Sequence, residues 1–99
     1  MTPEQVTSNE APETQSQRID KWLCFSRFCR SRAIAAELCV HGRIRMNGRL
    51  VARPSQLVRP GDVLTLAFSH HIRVVRVLGF ARHRRSATEA AALYEALAL

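Results

Sequence analysis

From Arg43 to Met46 charged and apolar residues alternate, Ile44 and Met46 against Arg43 and Arg45, which is the period-two pattern of a strand with one buried face. Asn47-Gly48 follows directly. Both residues accept the positive φ of a type I′ turn, so the pair predicts a two-residue β-hairpin with Arg49 opposite Met46. Upstream the period changes. Ile19, Trp22 and Leu23 stand at helical spacing, with Asp20 placed to cap or charge-stabilise the first turn. Ser31 is the expected N-cap of a second helix over SRAIAAELCVH, where Ile34 and Leu38 share a face, and Gly42 is placed to end it. Downstream, LVARPSQLVRPGD holds Pro54, Pro60 and Gly61 and is expected to be a loop. VLTLAF and IRVVRVLGF read as two further strands joined by a turn at residues 69–71. Arg73 and Arg76 in the second do not share a face, so its alternation is imperfect. Ser86 and Glu89 form a capping-box pattern ahead of AALYEAL, a run of high helix propensity, which predicts a last helix. The order α-α-β-β-β-β-α implies one compact α+β domain, two short helices on a small β-sheet with a C-terminal helix.

Charge changes the picture. The chain of 99 residues holds fifteen basic and eight acidic residues, net +7, and Lys21 is the single lysine. Residues 18–85 carry all fifteen cations against Asp20, Glu37 and Asp62, a net +12. Residues 1–17 carry Glu4, Glu10 and Glu13 and no cation. A small domain with that excess repels itself, which points to a polyanionic partner. Arginine suits planar, bidentate contact with phosphate. The chain accordingly divides into an acidic tail over 1–17, expected to be disordered, a basic domain over 18–80, and a basic linker with the helix over 81–99.

Other chemistry is thinly represented. Cys24, Cys29 and Cys39 form no CxxC pair and no His stands at ligand spacing, so they are expected as reduced, partly buried apolar residues and no metal is expected. His41, His70, His71 and His83 have no carboxylate or nucleophile beside them in sequence; no catalytic residue and no cofactor is expected. No apolar stretch approaches a membrane span, and no signal or transit peptide is apparent, so the expected location is cytoplasmic and the expected state monomeric. Trp22 is expected in the core rather than stacked on bases.

Four motifs in order, R-I-D-K-W-L at 18–23, R-S-R-A at 30–33, G-R-I-R-M-N-G at 42–48 and P-G-D-V-L at 60–64, resemble the S4 domain, the αL-type RNA-binding domain of ribosomal protein S4. The first motif and R-R-S-A-T-E-A-A-A-L-Y-E in the tail resemble more narrowly the bacterial heat-shock protein 15 family of small ribosome-associated S4 proteins. The resemblance implies an RNA-binding surface on the two helices and the hairpin. Matched position by position, it comprises Arg18, Lys21, Arg27, Arg30, Ser31, Arg32, Arg43, Arg45, Asn47 and Arg49. It further implies a non-enzymatic protein of the heat-shock and stress response that binds ribosomal RNA on the free large ribosomal subunit. That subunit would still hold a tRNA-linked nascent chain, with a contact to tRNA. Residues alone also allow two rivals: a DNA-binding helix-turn-helix protein, and a module acting on another protein through its C-terminal helix. Arg82, Arg84 and Arg85 form a second basic cluster, suited equally to RNA contact or to flanking the capping box.

Overall fold

The computed structural model describes residues 16–98. The expected acidic tail lies outside them except for Ser16 and Gln17, and Gln17 already belongs to a strand. Helix α1 (Ile19–Phe25) follows the two-residue strand β1 (Gln17–Arg18), and α2 (Arg32–Val40) follows after a tight connection. The hairpin β2 (Ile44–Met46) and β3 (Arg49–Leu50) has the expected turn: Asn47 at φ 53° and Gly48 at φ 84°, with Met46 opposite Arg49. Strand β5 (Val63–Ala67) pairs with β2 on one side and with β6 (Ile72–Val77) on the other.

Two short strands were not legible as such. Within the expected loop, Leu57–Val58 forms β4, which pairs antiparallel with β1 and ties the segment before α1 to the middle of the chain. The C-terminal helix starts where expected but is much shorter than AALYEAL suggests. The Ser86–Glu89 capping box is present, but α3 covers Ala87–Ala90 only. It tightens into a 3-10 turn over Ala91–Leu93, and Tyr94–Leu97 is an antiparallel edge strand, β7, beside β6. Helix propensity differs by only tenths of a kcal/mol per residue among such residues, and tertiary packing overrides it. Here β7 satisfies the open edge of β6, and the Tyr94 ring packs 4.6 Å from that of Phe28. The main sheet therefore runs β3-β2-β5-β6-β7.

One face of this sheet meets the helices. Ile19, Trp22 and Leu23 of α1, Ala35 and Cys39 of α2, and Ile44, Leu64, Leu66, Val75 and Val77 of the sheet form one buried cluster. Trp22 is fully buried and its indole N–H donates to the Gly79 carbonyl at 2.9 Å, which fixes α1 to the segment after β6. Cys24, Cys29 and Cys39 are buried free thiols. Among the described residues no helix is long and apolar enough to cross a membrane.

Candidate nucleic-acid interface

The start of α1 is organised by a buried carboxylate. Asp20 sits in the first turn and accepts two hydrogen bonds from the Arg18 guanidinium, at 3.1 and 2.8 Å, and one from the Lys21 backbone N–H at 2.7 Å. The Arg32 guanidinium, from the first turn of α2, approaches Asp20 Oδ2, the oxygen of the 2.8 Å Arg18 bond, at 3.5 Å. Burial alone would raise the Asp20 pKa; the hydrogen bond and charge of Arg18, the charge of Arg32 and the Lys21 N–H outweigh it and hold the carboxyl below its usual range. Both arginine side chains remain about half exposed. One carboxylate thus holds two guanidinium groups side by side at the surface, one from the residue that precedes α1 and one from the start of α2. Lys21, half-buried, has its ammonium 6.0 Å from the Phe25 ring centre.

The connection between α1 and α2 collects a second group. Helix α1 ends in a Schellman turn: Phe28 N–H donates to Leu23 O and Arg27 N–H to Cys24 O, with Arg27 itself in the left-handed conformation at φ 69°. Glycine is the usual occupant of that position, so the arginine there is conformationally costly and its side chain has a reason to be present. The Arg27 guanidinium donates to the Arg85 carbonyl at 3.1 Å, Arg85 N–H donates to Phe25 O, and the Arg84 guanidinium reaches the Cys29 carbonyl at 3.5 Å. The second basic cluster is therefore packed on the first. Ser31 caps α2 as expected, its hydroxyl oxygen accepting from Ile34 N–H at 3.2 Å, and exposed Arg30 precedes it.

At the far end of α2, Gly42 adopts φ 71° and a second Schellman turn closes the helix, with Arg43 N–H on Leu38 O. This turn launches the hairpin. Arg43, Arg45 and Arg49 are exposed, although Arg49 stands opposite half-buried Met46. Arg45 lies on the outer face of the sheet, paired with Thr65 and Leu50. Asn47 is engaged internally: its amide N–H donates to Asp62 at 3.0 Å and its amide oxygen accepts from Val63 N–H at 2.9 Å. It braces the hairpin against the start of β5, and its side chain is already committed.

Of the fifteen cations, three (Arg18, Arg32 and Arg76) have a carboxylate within ion-pair distance among the described residues. The other twelve do not, which leaves an uncompensated basic surface suited to phosphates. The ten residues expected from the sequence fall into three groups: Arg18, Lys21 and Arg32 around Asp20, Arg27, Arg30 and Ser31 at the helix connection, and Arg43, Arg45, Asn47 and Arg49 at the hairpin. The selection omitted Arg84 and Arg85; their basic cluster was visible, but their packing on residues 25–29 had no sequence signal. Among the described residues no group of three or more His, Cys, Asp or Glu is placed to hold a metal ion.

Comparison with known proteins gives a consistent picture. The S4 domain family model matches residues 17–64. Heat shock protein 15 of Escherichia coli strain K12 is 41% identical over 78 residues, covering 79% of this chain and 58% of that protein. The chain therefore spans less than two thirds of the length of that relative. The RQC P-site tRNA stabilizing factor of Halalkalibacterium halodurans is 37% identical over 78 residues, which cover 86% of its length. A solved structure of Vibrio cholerae heat shock protein 15, described as trimeric, superimposes with a TM-score of 0.78 at 33% identity, covering 85% of this chain and 84% of that one.

Proposed function

This chain belongs to the S4-domain family that includes heat shock protein 15 and the RQC P-site tRNA stabilizing factor, and on that premise we propose that it is a non-catalytic RNA-binding protein of the ribosome. Its ligand is structured ribosomal RNA of the large subunit, with tRNA as a neighbouring contact. It acts in the cytoplasm, as a single chain, on free large subunits that retain a tRNA-linked nascent chain after stress. The observation that carries the reading is the uncompensated charge: twelve of fifteen cations lack a carboxylate partner among the described residues. A surface of arginines spread over helix ends and a hairpin follows a folded phosphate backbone by shape rather than reading base edges in a groove.

The experiment is a double substitution, Arg43→Ala with Arg45→Ala, measured for thermal unfolding and for affinity to large-subunit ribosomal RNA at several salt concentrations. Stability should barely change, because exposed arginines contribute little. Affinity should fall and the log–log salt slope should become shallower by about one unit per lost phosphate contact. An unchanged slope refutes phosphate tracking by the hairpin. Duplex DNA competing as well as ribosomal RNA at fixed salt would favour the helix-turn-helix reading instead. Sedimentation of cell extract checks the subunit assignment: the protein should travel with free large subunits.

A further inference from the structure

Helix α2 separates two flanks. Arg32 extends from one towards Asp20, whereas Ile34, Leu38 and His41 stand at helical spacing on the other. On that second flank two hollows of about 340 and 400 Å³ share Ile34, Leu38 and Ser69. Arg43 lines the first and Arg30 the second, so the two hollows, joined at their shared residues, make a trough that carries one arginine of the interface in each part. Its floor is apolar, made by Ile34, Leu38, Phe28 and Phe68. Ile34 is 41% exposed although it is a large aliphatic residue beside a basic surface. The far wall is the turn after β5, where the Phe68 and His71 rings lie 5.2 Å apart. Glu37 is the one carboxylate along the lining.

We propose that this trough seats unpaired nucleotides of the bound RNA, with bases against Ile34, Leu38 and the Phe68–His71 pair and phosphates at Arg30 and Arg43. The inference rests on the RNA-binding reading and extends it from a phosphate-tracking surface to a site for single-stranded bases. A strand touching both arginines has to cross the floor between them. A phosphate laid on that floor would lose hydration without gaining a partner. A base presents an apolar face to aliphatic and aromatic side chains and keeps its polar edge towards the rim, where His41, His70 and His71 supply ring nitrogens. Each hollow is of small-ligand size. The rim, with two arginines and three histidines against one carboxylate, fits a polyanion better than a peptide.

The test uses the full chain and two synthetic RNA hairpins with one common stem, one fully paired and one carrying a two-nucleotide bulge, compared by fluorescence anisotropy at fixed salt. The wild type should bind the bulged hairpin about tenfold more tightly. Ile34→Ala and His71→Ala, both at exposed positions, should reduce that preference to about twofold or less while leaving affinity for the paired hairpin unchanged. Placing 4-thiouridine in the bulge should give crosslinks that map to residues 34–41 or 67–71. Equal wild-type affinity for the two hairpins overturns the trough while the paired hairpin still reports phosphate binding. A preference that survives both substitutions together overturns it too, and is the outcome expected if the trough serves a peptide. No binding to either hairpin overturns both this inference and the RNA-binding reading beneath it.

Discussion

Asp20→Asn tests the buried carboxylate that joins the two helices. The side chain is 6% exposed, and it accepts two Arg18 bonds and the Lys21 N–H while Arg32 stands 3.5 Å away. Asparagine keeps an oxygen for the Lys21 N–H but loses the charge and one acceptor for Arg18. Charge-assisted hydrogen bonds contribute about 1.5–3 kcal/mol. Solvent at the half-exposed guanidinium groups screens much of that, so the expected cost is about 1–2 kcal/mol. For a domain of this size that lowers the unfolding temperature by about 5–15 °C. Asp20→Ala also orphans the Lys21 N–H and should cost more. The pH dependence has a definite sign. Because the folded-state pKa of Asp20 is lowered, its stabilisation is fully present above the unfolded carboxylate pKa, near 4, and is lost as pH falls through the folded value. Wild type and Asp20→Asn should therefore differ most at neutral pH and converge in acid. Thermal unfolding followed by circular dichroism from pH 7 down to about pH 2.5 reads both effects. Equal unfolding temperatures at pH 7, or a gap that persists unchanged in acid, would refute the assignment.

Other expectations follow from single positions. Ile44→Ala, at a fully buried core position, should destabilise the fold by about 2–5 kcal/mol in denaturant titration, against almost nothing for its neighbours Arg43 and Arg45. Arg27→Gly relieves the left-handed φ and should raise stability by about 1 kcal/mol while weakening RNA binding; a lower unfolding temperature would show that the arginine is there for the fold. Burial pushes the Cys29 and Cys39 thiols up to about 11, so mass spectrometry should find both unmodified after iodoacetamide at pH 8 on the folded chain, and both alkylated after denaturation.

The legible parts of the fold are those whose signals are local. Ser31 and Gly42 bracket α2 by capping chemistry, Asn47-Gly48 fixes the hairpin turn, and β5 and β6 are long enough for their apolar positions to register. Strands β1 and β4 have two residues each, too few to carry a period, and they exist only because they pair with each other across the chain. Tyr94–Leu97 reads as helix because its residues favour one; its strand conformation follows from the open edge of β6 and the place of Tyr94 against Phe28, neither of which is local. The interface behaves alike. Exposed arginines of the helices and hairpin are named by their motifs, whereas the commitment of Asn47 to Asp62 and Val63, and the packing of Arg84 and Arg85 on the α1–α2 connection, depend on long-range approach.

The bond from Trp22 to Gly79 spans 57 residues, and that from Gln17 to Ala81 spans 64. A ribosome making this chain releases α1 long before either carbonyl exists. Until Gly79 has left the exit tunnel, the most bulky core side chain has no partner for its indole N–H, and until Tyr94–Leu97 follows, β6 has no β7 beside it. Non-local closure of this kind slows folding, and domains complete themselves only when their last element is free. Arg27, Arg84 and Arg85 come together only in that completed state. The nascent chain therefore presents the arginines of α1 and α2 before it has the assembled surface that they form, and the long closure defers the α1–α2 part of the interface until Arg84 and Arg85 have emerged.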